Sequence, residues 1–272
     1  MNYKLMQITD AFLSISLDKM DRVQLMNRTD TKFVGTVNHL EKLLVKLFRD
    51  YYILEIDKKR VLPYHTIYFD SKDFQLYNSH HNGKLNRYKI RFREYEISRI
   101  GFLEIKKKNN KNRTDKKRIQ SSYQHSELVD TQISFIATTT SLIPNDLEEK
   151  LSNHFDRITL VGKEKNERLT IDLNLQFSSP DGNFKKLADF AIIELKQDQN
   201  SGWSPIKQII KENHFKAHGF SKYCIGTILL YPHIKHNRFK QHIRLLEKLC
   251  TNQIKIENHE QPTGNIQYDI AV

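Results

Sequence analysis

Between Asn86 and Lys108 the chain reads NRYKIRFREY, a short polar break, then GFLEIKKK. Side chains on a strand point to opposite faces at a period of two. As strands, these segments place Arg87, Lys89, Arg91, Arg93 and Tyr95 on one face, and Tyr88, Ile90 and Phe92 on the other. The second segment sets Glu104, Lys106 and Lys108 against Leu103 and Ile105. Successive cations on one face repel unless water, counter-charges or an anionic ligand surround them. A solvated sheet face meets that need as well as an anion-binding cavity does. What covers the rest of the sheet separates the two.

The pattern recurs along the chain. Arg28, Asp30, Lys32 and Val34 share a face opposite Thr29, Thr31 and Phe33. From Arg168 to Phe177, Leu169, Ile171, Leu173, Leu175 and Phe177 point one way, while Arg168, Thr170, Asp172, Asn174 and Gln176 point the other. Asp115–Gln120 carries Lys116 and Arg118 on one face. Further strands are expected at Tyr51–Ile56, Pro63–Asp70, Arg157–Lys163 and Leu187–Lys196. Apolar spacings of three and four predict helices over residues 8–20, after Thr36 as N-cap through Phe48, over Tyr223–Leu230 and over Asn237–Cys250. Ser126–Thr140, Pro144–Phe155 and the segment opened by Ser204-Pro205 also read as helices.

The fold class is therefore α+β. Residues 1–250 are expected to form one domain and 251–272 a loose polar tail. If helices cover the apolar strand faces from outside, the charged faces turn inward. About eight antiparallel strands then close as a β-barrel around a basic tunnel. A flat sheet with its charges on open surface has the same pattern. The net charge of +12 favours a polyanionic partner: nucleic acid, an acidic membrane or a phosphate chain. Cys224 and Cys250 lack metal-ligand spacing and read as buried thiols of a reducing compartment. There is no basic-then-apolar leader and no apolar run of about 18 residues. The expected location is the cytoplasm, with no membrane span.

Seven segments occur in a telling order: RTDTKF, YHTIYFD, NRYKIRFREY, GFLEIKKK, ERLTIDLNLQF, IIELK and GFSKY. From about Arg28 to Leu230 the chain resembles the VTC domain, the catalytic domain of vacuolar transporter chaperone polyphosphate polymerases. That family belongs to the triphosphate tunnel metalloenzymes. The resemblance implies transfer of the γ-phosphate of ATP to inorganic polyphosphate, with a divalent Mn²⁺ or Mg²⁺ ion. It implies catalytic roles for Lys32, Arg91, Arg93, Lys106 and Lys222, and phosphate binding by Lys116, Arg118, Lys163 and Ser221. Arg28, Lys89 and Arg168 join them as phosphate-binding cations of the same faces. Glu194 is the implied metal ligand.

Phosphoryl transfer asks the protein mainly for positioning and charge stabilisation, which Arg and Lys supply. A hard divalent cation takes oxygen ligands, often one or two carboxylates plus phosphate. Many hydrolytic tunnel enzymes carry Glu-x-Glu-x-Lys on the first strand. Here that span is Arg28-Thr-Asp30-Thr-Lys32, which leans toward polymerisation. Two other readings stay open: a tripolyphosphate or nucleoside-triphosphate hydrolase of the same fold, and a non-enzymatic polyanion binder such as an RNA-binding protein. The first reading expects ATP and polyphosphate as partners and no nucleic acid.

Overall fold

Long amphipathic strands dominate the chain, and they pair almost entirely antiparallel. The structure, a computed structural model, describes residues 3–21, 28–111, 113–121, 128–198 and 204–250, with Asp21 and Arg28 described by backbone alone. The expected tail at 251–272 and the side chain of Arg28 lie outside the described residues.

The elements run α1 (Tyr3–Asp10), β1 (Ser14–Ile15), α2 (Leu17–Asp21), β2 (Arg28–Thr36), α3 (Val37–Leu47), β3 (Tyr51–Leu54) and β4 (Leu62–Ser71). Next come α4 (Gln75–His81), β5 (Arg87–Tyr95), β6 (Ile100–Lys108), β7 (Thr114–Gln120), α5 (Asp130–Thr139) and β8 (Leu147–Gly162). The chain continues through β9 (Glu167–Ser178), β10 (Phe184–Lys186), β11 (Phe190–Asp198), α6 (Ile206–Glu212), β12 (Lys216–Ala217), α7 (Lys222–Leu230) and α8 (Lys240–Leu249). None of the described helices is long and apolar enough to cross a membrane.

The strands form one sheet in the order β12-β2-β11-β9-β8-β4-β5-β6-β7. β10 pairs with β9 and β3 with β8, and among the described residues only β1–β3 is parallel. The α+β, antiparallel expectation holds. Among the described residues twelve strands replace about eight, because short strands are added at the margins. The hydrogen-bonded path runs open from β12 to β7 among the described residues.

One face of the sheet is apolar and covered by helices. Phe33, Ile171 and Ile193 pack with Leu40, Leu43, Leu44 and Leu47 of α3 and with Ile206 and Ile210 of α6. Ile90, Phe92, Leu103 and Ile105 pack with Leu76 of α4 and Ile136 of α5. Each such side chain contributes about 1.5–3 kcal/mol when fully buried. Thr36 caps α3 as expected, accepting a hydrogen bond from His39 N at 3.3 Å. These layers turn the charged strand faces away from the helices.

Three expectations are corrected. Pro144–Phe155 is not a helix: a 3₁₀ turn at Pro144–Asp146 leads into β8, which runs sixteen residues. Leu147, Leu151 and Phe155 recur every four residues, a spacing that fits a period of two as well as 3.6. Residues 8–20 are not one helix, because Ser14 and Ile15 leave the helical path to pair with Ile53 and Leu54. Finally, not every helix packs outside. α7 lies on the charged face, against Leu151, Phe155, Leu175 and Phe177, with eight of its nine residues buried.

That third correction has a local cause in β9. The β8–β9 register passes from Asp156↔Leu173 to His154↔Gln176, so Asn174 and Leu175 together oppose Phe155. Asn174 takes a left-handed φ of 52° and donates from Nδ2 to Asp156 Oδ2 at 2.7 Å. Such a bulge shifts the alternation by one residue. Leu169, Ile171 and Leu173 therefore face α3 and α6, while Leu175 and Phe177 face α7. The even alternation expected from Leu169 to Phe177 breaks at this point. Gly226 lets α7 approach, since a Cβ there would lie 2.5 Å from Phe177 Cδ1.

Candidate active site

The charged faces enclose a cavity of about 610 Å³, lined by eleven Lys and Arg side chains against Asp30, Asp172 and Glu194. Register explains the order on one wall. Lys89, Lys106 and Lys116 stand abreast on β5, β6 and β7. Arg91, Glu104 and Arg118 form the next row, and Arg93 sits beside Phe102 and Thr66 in the one after. Glu104 has no solvent exposure. It accepts from Arg91 Nε at 2.6 Å and from Lys116 Nζ. Burial alone would raise its pKa, but Arg91, Arg93 and Lys116 hold it well below the usual carboxylate range. It is a buried counter-charge that fixes two cations.

The facing wall is built the same way. Arg157 on β8 makes a two-pronged contact to Asp172 on β9, at 2.6 Å from Nε and 2.9 Å from Nη2. Asp172 also accepts from Lys222. Lys222 Nζ lies 4.0 Å from the centroid of the Phe155 ring. Lys32 and Glu194 are cross-strand partners, and Glu194 is held by Lys196 at 3.0 Å. Burial pushes Glu194 up, yet Lys196, Lys32 and Arg157 keep it ionised and well below its ordinary value.

α7 closes one end. Ser221 caps it, accepting from Cys224 N at 3.2 Å, and Lys89 Nζ donates to the same hydroxyl at 3.1 Å. Lys32 Nζ donates to the Phe220 carbonyl at 2.9 Å. The helix N-terminus thus points its partial positive charge into a cavity already rich in cations.

This crowding depresses the amines. Lys106 is lowered to about 5 by Arg91, by burial and by Arg93. Burial lowers Lys222 to about 7 against the pull of Asp172, with Arg157 adding to the fall. Burial also lowers Lys89 to about 8, and Lys32 and Arg91 reinforce it. A cavity that penalises its own charges is relieved by a polyanion.

The structure brings together Lys32, Lys89, Arg91, Arg93, Lys106, Lys116, Arg118, Arg168, Glu194, Ser221 and Lys222. It does not bring in Lys163. β8 ends at Gly162, and Lys163 Nζ turns to the Phe48 and Arg49 carbonyls, at 3.3 and 2.8 Å, where α3 ends. A cation beside a helix C-terminus is a structural role.

Arg157 and Lys196 line the cavity and were not among the expected site residues. Lys196 stands two positions after Glu194 on one strand face, a signal available in the sequence. Arg157 opens an expected strand whose first half is lost to the helical reading of the residues before it. Asp172 pairs with Arg157 and Lys222.

No group of three or more His, Cys, Asp or Glu side chains able to hold a metal occurs among the described residues. Asp172 and Glu104 each hold two cations, and Glu194 is held by Lys196. Glu194, ionised and facing the cavity, fits a hard divalent ion that takes its other ligands from phosphate oxygens.

Among solved structures, the chain resembles a Bacillus halodurans protein named as a candidate adenylate cyclase, with 15% identity over 72% of this chain and 96% of that one and a TM-score of 0.45. A Vibrio parahaemolyticus protein of similar designation shares 11% identity over 74% and 99%, with a TM-score of 0.43. A Hippeastrum protein, a candidate adenylyl cyclase described as having a dominant triphosphatase activity, shares 14% over 74% and 95%, with a TM-score of 0.42. A search of curated proteins finds no significant match. The VTC domain matches residues 27–231, a span that contains β2 through α7 and with them every strand that lines the cavity with charge. By that match, the chain belongs to the VTC domain family.

Proposed function

We propose that the protein is a polyphosphate polymerase, moving the γ-phosphate of ATP onto a growing polyphosphate chain with a divalent cation. The family places the chain among triphosphate tunnel enzymes. The observation that carries the finer reading is the state of three acids at the cation-lined cavity, beside Asp30, which stands opposite Lys196 in the same lining. Glu104 is held by Arg91 and Lys116, Asp172 by Arg157 and Lys222, and Glu194 by Lys196. None of these three is poised to take a proton from water. A phosphate-chain acceptor is already an anion and has no such need. What it needs is cations on both sides of the transferred group, which the two facing walls supply.

Arg91 and Arg93 are suited to planar, paired contacts with phosphate oxygens, and Lys32, Lys106 and Lys222 act as point charges. Lys89, Lys116, Arg118, Arg168 and Ser221 extend the track. Glu194 would hold the metal, which when bound neutralises charge between adjacent phosphates. RNA binding is disfavoured, because these cations line a cavity rather than an open face.

Incubation with ATP and Mn²⁺ tests the reading. The expected products are ADP and an acid-stable, lengthening phosphate polymer resolved on a gel. Release of free phosphate with no polymer establishes hydrolysis instead, and absence of turnover with salt-sensitive polyanion binding establishes the binder.

A second expectation concerns protons. Lys106, lowered to about 5, is uncharged at neutral pH in the free protein. A bound polyanion raises its pKa toward the ordinary lysine value. A group whose pKa is higher in the complex takes up a proton on binding, so affinity for tripolyphosphate should rise as pH falls toward 5. Titration calorimetry near pH 7 in buffers of different ionisation enthalpy is expected to show net proton uptake on binding, to which Lys222, lowered to about 7, also contributes. Zero uptake would place Lys106 away from the anion.

A further inference from the structure

Two histidines meet where α8 runs beside the loop that leads into α7. His218 follows β12, and its main-chain N–H donates to the Lys32 carbonyl of β2 at 2.9 Å. His242 lies in the first turn of α8. Their ring centroids are 4.2 Å apart and their planes are tilted by 56°. Both side chains are half-buried. His218 Nε2 and His242 Nδ1 are each closed off from solvent, and neither has a hydrogen-bond partner among the described residues. The His242 ring donates to the Gly219 carbonyl. Since Nδ1 is unpartnered, the donor is Nε2, and Nδ1 keeps its lone pair. Burial lowers the pKa of both rings, so both are neutral at neutral pH.

Polar atoms closed off from water are nearly always paired. Two such imidazole nitrogens side by side suit an electron-pair acceptor that takes both. Tilted rings let in-plane lone pairs converge on one ion. His65 and His154 differ, being stacked at 10° with each Nδ1 near a carboxylate. A metal-binding histidine commonly fixes its other nitrogen on a backbone carbonyl, as His242 does on Gly219. Imidazole suits Zn²⁺, Cu²⁺ or Ni²⁺, whereas Mg²⁺ and Mn²⁺ prefer oxygen. We propose that His218 Nε2 and His242 Nδ1 bind a zinc-class transition ion. No third His, Cys, Asp or Glu joins them among the described residues, so water fills the other positions. The ion would brace the loop that closes the cavity. That loop, residues 219–221, directly follows His218, and Lys32 and Lys89 reach its Phe220 carbonyl and Ser221 hydroxyl. His242 lies beyond residues 27–231, the span that matches the VTC domain, so the pair joins that domain to the helix after it. The site is independent of the reading of Glu194 as a ligand for Mn²⁺ or Mg²⁺.

The test is calorimetric titration of Zn²⁺ into the chelator-stripped full chain, in buffer with excess Mg²⁺ to occupy oxygen sites. Wild type is expected to bind a Zn²⁺ ion that Mg²⁺ does not displace. His218→Gln and His242→Gln should each weaken it by at least about tenfold, since even an outer partner of a metal ligand is worth that much. His65→Gln should leave it unchanged. Zn²⁺ should raise the thermal unfolding temperature of wild type and His65→Gln, and leave that of the other two variants unmoved. Ring nitrogen NMR of wild type reads the site without any substitution, and Zn²⁺ should shift His218 Nε2 and His242 Nδ1. Absence of Zn²⁺ binding by wild type, equal binding by wild type and both variants, or unshifted resonances of these two nitrogens overturns the site.

Discussion

Replacing Lys222 by alanine is expected to lower turnover by about 10²–10³-fold, the loss typical of removing one group that stabilises transition-state charge. Lys222 begins α7, the helix that closes the cavity, and its ammonium is placed by Asp172 below and the Phe155 ring beside it. The fold should survive, because Asp172 keeps both contacts to Arg157. Arg93→Ala is expected to behave alike from the opposite wall. Arg93 is disfavoured where it sits, by burial and then by Arg91 and Arg157, so its removal relieves repulsion in the empty cavity. Steady-state turnover with ATP and Mn²⁺, beside thermal unfolding of each variant, checks both statements. Wild-type activity in either variant would remove that residue from the proposed site. Loss of activity together with loss of the unfolding transition would show a structural role instead.

Arg93 was legible in the sequence through strand periodicity, whereas Lys222, at the start of α7, was expected only from the family resemblance of GFSKY. Once Arg91 and Arg93 share a face, register on β6 and β7 brings Lys106, Lys116 and Arg118 beside them. Alternation alone could not say whether that face met water or another wall. The answer lay in tertiary packing, with α3 and α6 over one part of the sheet and α4 and α5 over another. Arg157 was read as the start of a strand, but its place on the charged wall was missed because Leu147, Leu151 and Phe155 satisfy helical and strand periods equally. Once those residues are read as a helix, the strand that carries Arg157 loses its first half. The position of α7 was illegible for a different reason. It depends on a single residue, Asn174, adopting a left-handed conformation, after which the two ends of β9 present apolar side chains to opposite faces. Lys163 shows the converse. Its spacing continues the Arg157–Thr159–Val161 face, but the strand stops one residue short, at Gly162.

Glu104→Ala is expected to destabilise the fold by about 3–5 kcal/mol at neutral pH, the range for breaking a buried ion pair by removing one partner. The carboxylate is fully buried and serves Arg91 and Lys116 together. Without it, those two cations face Arg93 and Lys106 with no counter-charge between them. The pH dependence follows from the direction of the shift. Burial opposes ionisation of Glu104, but Arg91, Arg93 and Lys116 overcome it, so its folded pKa lies below its unfolded one. Its contribution is therefore complete above the unfolded value, roughly 4.3, and is lost as pH falls further. Urea unfolding should show the full difference between wild type and variant at neutral pH and a shrinking one below about pH 4. Tripolyphosphate should narrow the neutral-pH gap as well, since an anion that binds only the folded state stabilises it by mass action and replaces the missing charge. A variant as stable as wild type at neutral pH would mean that Arg91 and Lys116 are held by solvent. A gap that tripolyphosphate leaves unchanged would mean that the anion does not reach the row containing Glu104.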